Sequence, residues 1–240
     1  MRVLVTRPEA DAAPIVRALE ARGDEAVLEP LLNIVPDPDA VAELTGIQAL
    51  ALSSANGVRA LAARTERRDL PVFAVGDATA AEARDAGFAQ VASADGDVAA
   101  LADLIAARLD PDDGAIFHAA ARQVAGDLKG HLEASGFTVR RAILYEAVAS
   151  TSISAPTARV LAEGGVDAAL FFSPRTGRTF VRLLAESRLT AACDRIFAVC
   201  LSGAVAETVK GLPWRALHIA AQPTQAALLE CLAALDEPGG

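Results

Sequence analysis

Residues 1–28 read MRVLVTRPEADAAPIVRALEARGDEAVL. Residues 3–6 form a short apolar run that predicts a buried strand. Residues 12–22 carry an amphipathic helical pattern that stops at Gly23, a residue suited to ending a helix. A second apolar run at 26–35 predicts a longer strand stopped by Pro36 and Pro38. Strand, helix and strand in that order form the unit of a parallel sheet flanked by helices. Outward from it the alternation continues. A helix is expected from about Asp39, then a strand at 49–53, a helix at 56–67, a strand at 72–75 and a helix at 78–85 before Gly87. A weak strand at 91–92 and a helix at 98–109 close the half. The fold class is α/β.

The pattern then starts again. GAIFHAAARQVAGDLKGHLEASGFTVRRAILYEAVA, from Gly114, parallels the opening, with Val3 matching Ile116 and Gly23 matching Gly136 at an offset of 113. ALALSSANG and AALFFSPRTG match Ser54 to Ser173 at an offset of 119, and FAVGDATAAEA and FAVCLSGAVAE match Phe73 to Phe197 at 124. The rising offset implies small loop insertions in the second half. Two related α/β halves, divided near Pro111, are the expectation from the residues alone.

Composition narrows the function. With 240 residues, 52% hydrophobic and 22% charged, the chain has material for a substantial core. MRVLVTRPEADAA lacks the apolar stretch of a signal peptide, and no run of about 18 apolar residues occurs, so a cytoplasmic protein off the membrane is expected. Cys193, Cys200 and Cys231 are odd in number and lack CxxC spacing, which fits a reducing compartment. A net charge of -9 argues against a nucleic-acid partner. No GxGxxG, P-loop or GxSxG element occurs. His118, His131 and His218 share no ligand spacing, so they are read as structural or surface residues and no metal site is expected.

Six stretches carry a resemblance: VLVTRP (3–8), PLLNIVP (30–36), LSSANGV (52–58), AVGDATA (74–80), ILYEAV (143–148) and DAALFFSP (167–174). In order and spacing the chain resembles the uroporphyrinogen-III synthase family over essentially its full length. The resemblance implies two similar α/β domains, one discontinuous (1–35 with 150–240) and one inserted (36–149). They would be joined by crossing strands near 31–35 and 145–149, with an active-site cleft between them. It also implies the reaction: hydroxymethylbilane, a polyanionic linear tetrapyrrole, loses its hydroxyl as water. The last pyrrole ring inverts through a spirocyclic intermediate, and the ring closes to uroporphyrinogen III without a cofactor. The enzyme would be a monomer, in transient contact at most with the preceding enzyme of the pathway. The alternative is a two-domain binding protein that closes on a small molecule without chemistry.

Under the resemblance, Tyr145, the sole tyrosine, is the candidate general acid, since a phenol with a pKa of about 10 stays protonated at neutral pH. Thr79 sits where a strand turns into a helix, with Gly76 permitting a tight backbone and Thr79 able to cap the helix. Ser53, Ser54 and Asn56 occupy a similar turn, as do Ser173 and Arg175 in the other half. Ligands of open α/β sheets gather at such strand ends. Arg7 and Arg122 are the candidates for forked pairing with substrate carboxylates. The second copy of the glycine-and-threonine turn reads Val199-Cys200-Leu201-Ser202-Gly203-Ala204, a departure in which Ser202 would supply the hydroxyl.

Overall fold

Alternate residues of each strand face opposite ways, so a strand apolar throughout needs cover on both faces. The computed structural model describes residues 1–124 and 126–235. The chain opens with β1 (Arg2–Val5), α1 (Glu9–Ala21), β2 (Glu25–Leu28) and β3 (Leu32–Pro36). It continues through β4 (Ile47–Leu52), α2 (Ala55–Ala62), β5 (Val72–Ala74), α3 (Asp77–Asp85), β6 (Val91–Ser93) and α4 (Val98–Ala106). Next come β7 (Ala115–Ala121), α5 (Leu128–Ala134), β8 (Val139–Ala149), α6 (Ala155–Ala162) and β9 (Ala168–Phe171). The last elements are α7 (Pro174–Glu186), β10 (Phe197–Cys200), α8 (Gly203–Val209), β11 (Ala216–Ile219) and α9 (Gln225–Ala233).

Among the described residues the strands form two sheets, ordered β11-β10-β9-β1-β2 and β3-β8-β7-β4-β5-β6. The pairs β1 with β2 and β9, and β7 with β4 and β8, are parallel. The α/β class with helix-flanked parallel sheets is therefore what the chain has. It divides into two compact units, Met1–Asn33 with the chain from Val148 on, and Ile34–Ala147. β3 and β8 carry the chain between them. Asp37 N–H donates to Leu144 O at 2.9 Å and Ser150 N–H to Leu31 O at 3.0 Å, numbers running in opposite senses as an antiparallel pair requires.

In the first unit Leu4, Ala169 and Phe171 pack with Phe180, Leu183 and Val205 of α7 and α8. Val3, Val5 and Leu170 face the other way onto Ile15 and Leu19 of α1 and Leu228 of α9. In the second unit Leu50, Leu52, Phe117 and Tyr145 lie under Val58 and Leu61 of α2. Ala49, Ala51 and Ile116 face α4 and α5. Omitting β3, the sheets share one order: β2-β1-β9-β10-β11 and β8-β7-β4-β5-β6. The matched residues Val3 and Ile116 lie in β1 and β7, and Phe73 and Phe197 in β5 and β10. Gly23 and Gly136 both follow a helix in left-handed conformation, with φ of 82° and 88°.

Three local expectations need correction. The run 26–35 is two strands, because the chain leaves β2 at Glu29, whose buried carboxylate accepts from Ser154 N–H at 3.0 Å. No helix starts at Asp39. The carbonyls of that segment are taken by arginine side chains instead: Arg64 donates to Asp37 O and Ala40 O, and Arg67 to Leu44 O. The helix read at 56–67 is α2 alone, and Arg64 and Arg67 lie beyond it.

Candidate active site

Parallel strands bring their carboxyl ends to one rim of a sheet, and the turns that follow can present side chains and helix N–H groups there. In the second unit this rim joins the ends of β4, β5, β7 and β8. Ser54 caps α2, accepting from Asn56 N–H at 3.1 Å. The Asn56 side-chain oxygen accepts from Arg59 at 2.8 Å, and Arg59 pairs with Glu82 of α3, tying the two helices together. Gly57 lies so close to β7 that a Cβ there would sit 2.8 Å from Ala119 O.

The turn after β5 differs from its reading. Gly76 is the N-cap of α3, but its φ of -158° is extended backbone and a Cβ there would meet nothing within 4 Å, so no tight backbone is needed. Thr79 is a buried residue inside α3, and the helix has no side-chain cap. A threonine at that position is past the place from which an N-cap side chain acts.

Tyr145 falls at the same rim, paired with Ala121 where the β7–β8 register shifts. It is only 5% exposed, its ring packed in the core beneath α2. It also lines a cavity of about 200 Å³ with Pro36, Asp37, Pro38, Arg122 and Glu146. Arg122 N–H donates to Tyr145 O at 3.0 Å. The Arg122 guanidinium lies between two acids, 3.1 Å from Glu146 and 3.4 Å from Asp37. It is thus partly neutralised before any ligand arrives.

In the first unit the rim is made by β1, β9 and β10. Arg7 lies 4.6 Å from the Phe172 ring centroid, and donates to Gln225 at 3.4 Å. Burial lowers its pKa, which the Asp11 charge partly opposes. Ser173 caps α7, accepting from Thr176 N–H at 3.2 Å, with Arg175 in the first turn. Ser202 is the N-cap of α8 without a side-chain capping bond.

Among the residues put aside in the sequence, His118 stands out. It is 3% exposed, with Nε2 3.3 Å from Ser53 Oγ. Spacing in the chain gives no hint of this pair, which requires β4 and β7 to be neighbours. Asp37 and Glu146 belong to the same cavity as Tyr145, and their nearness to Pro36 and Tyr145 in sequence is the signal that marks them.

Two α/β units built on parallel sheets, one discontinuous and one inserted, each with polar residues at its strand ends, define a two-unit α/β protein. The sequence model of the family described as Uroporphyrinogen-III synthase HemD matches residues 13–230, and the chain belongs to that family. Among solved structures it is similar to uroporphyrinogen-III synthetase from Helicobacter pylori 26695, at 17% identity, TM-score 0.66, covering 98% of this chain and 100% of that one. It is also similar to a mutant uroporphyrinogen III synthase from the extremely thermophilic bacterium Thermus thermophilus, at 17% identity, TM-score 0.54, covering 99% and 100%. These likenesses concern the fold. No curated protein sequence matches the chain.

Proposed function

We propose that the chain dehydrates and cyclises hydroxymethylbilane to uroporphyrinogen III, inverting the last pyrrole ring on the way. The family match over 13–230 is the observation that carries this reading, and it disfavours a binding protein without chemistry. Spontaneous closure gives the uninverted isomer, so the enzyme's task is to hold the chain in the shape that directs attack at the substituted ring carbon.

In this reading Tyr145 donates the proton that lets the hydroxyl depart as water. The departing group leaves a cation conjugated through the pyrrole. Asp37 and Glu146, lining the same cavity as Tyr145, are suited to stabilise it. Substrate carboxylates would be held by Arg7 and Arg175, by the hydroxyls of Ser53, Thr79, Ser173 and Ser202, by the side-chain amide of Asn56, and by backbone N–H groups at Ser54 and Gly76. Arg122 would join them only by exchanging an acid partner for a substrate carboxylate. The domains would be 1–35 with 150–240 and 36–149, and the compact units Met1–Asn33 with the chain from Val148 and Ile34–Ala147 support that division. No helix among the described residues is long and apolar enough to cross a membrane, in keeping with a cytoplasmic enzyme. A monomer in transient contact with the enzyme that makes its unstable substrate completes the reading.

The test is genetic: a bacterium deleted for its own uroporphyrinogen-III synthase and carrying this chain should grow without added haem. Continued haem dependence, with the folded protein present in the cells, would contradict the proposal.

A further inference from the structure

Ser53 and His118 are brought together by the sheet. Ala51 of β4 pairs with His118 of β7, so Ser53, just beyond β4, reaches the imidazole, and Oγ lies 3.3 Å from Nε2. The ring is almost completely enclosed, and its Nδ1 meets no hydrogen-bond partner among the described residues. Burial, reinforced by the positive charge of Arg141, pushes the imidazole down to about 4, so the ring is neutral at physiological pH. Arg141 itself donates to the carbonyls of Ala121 and Arg122 and lines a cavity of about 100 Å³ with His118 and Lys129.

A neutral imidazole has one N–H and one lone pair, and a serine hydroxyl can take either role. Were Ser53 the donor, the ring proton would sit on Nδ1 as a buried N–H without an acceptor, a rare and costly arrangement. With the proton on Nε2, Nδ1 is left as a lone pair and no buried N–H goes unmatched.

We propose that His118 is a positioning residue whose Nε2–H donates to Ser53 Oγ, leaving the serine's own hydrogen to donate to a carboxylate of the substrate. His118 thereby converts a hydroxyl that can give or accept into a directed donor, held on two adjacent strands. The identity of the acceptor rests on the synthase reading; the location of the ring proton does not.

Nitrogen NMR of the full chain labelled with 15N-histidine reads that location directly. A protonated Nε2 and a bare Nδ1 on His118, between about pH 5 and 8, are expected; an Nδ1–H tautomer would overturn the inference. Kinetics with hydroxymethylbilane read the consequence. H118F should raise KM about tenfold with kcat and isomer ratio nearly unchanged, whereas H118Q, whose amide places a donor near the Nε2 position, should stay within about threefold of the wild type. In an S53A background H118F should cost nothing further. Equal losses for H118F and H118Q, or a further loss in the S53A background, would overturn the assignment. If the wild type makes no type III product while NMR finds Nε2–H, the synthase reading fails and the positioning of Ser53 stands.

Discussion

Tyr145 and His118 are both enclosed polar residues, and each makes a prediction. If Tyr145 supplies the proton for water loss, Y145F should slow closure by roughly 10- to 100-fold while still yielding type III product, since folding the substrate does not require the phenol. Unchanged rates with an unchanged isomer ratio would remove Tyr145 from the chemistry. For His118, the folded ring titrates at about 4 against an ordinary 6.5, so between these values the unfolded chain takes up a proton that the folded chain refuses. Its contribution to stability is complete above about 6.5 and is lost as pH falls toward 4, up to about 3 kcal/mol in all. Urea unfolding at about pH 7 and 4.5 should show the wild type losing more stability than H118Q; equal losses would contradict the burial argument. The sequence announced Tyr145, being the only one, and the caps Ser54 and Ser173, because capping is local chemistry. It did not announce the tie from Arg122 to Asp37 and Glu146 or the Ser53–His118 pair, which depend on strands distant in the chain.

At the level of elements, hydrophobic periodicity exposed the strand-helix alternation, and it failed where side chains replaced backbone bonding. The segment after Pro38 looks helical in composition, yet Arg64 and Arg67 take its carbonyls from beyond the end of α2. Gly57 shows the same dependence on packing. As a helix residue it is a poor choice by propensity, and only the approach of α2 to Ala119 O explains it. G57A must therefore move α2 away from β7, costing about 1–3 kcal/mol and lowering activity as Ser54 and Asn56 move with it. G203A in α8 meets open space and should be neutral or slightly stabilising. Thermal unfolding of the two variants checks the contrast, and equal Tm values would refute it.

At the level of the whole molecule, the repeated blocks are visible in the chain but their exchange is not. Strand pairing joins β1 to β9 and β7 to β4, so the compact units cut across the boundary near Pro111 that repetition suggests. Only the resemblance to a known family points to that exchange. The Ile34–Ala147 unit contains both faces of its own core, so residues 34–147 expressed alone should unfold cooperatively, as followed by circular dichroism, yet make no type III product. A noncooperative transition would show that the inserted unit depends on the rest of the chain. If this protein directs the closure of a linear tetrapyrrole, the isomer it makes shows it. Freshly generated hydroxymethylbilane is incubated with the purified chain, and the oxidised porphyrin isomers are separated and timed. Predominantly type III, formed faster than spontaneous closure, is expected; type I alone, at the spontaneous rate, would contradict the proposed reaction.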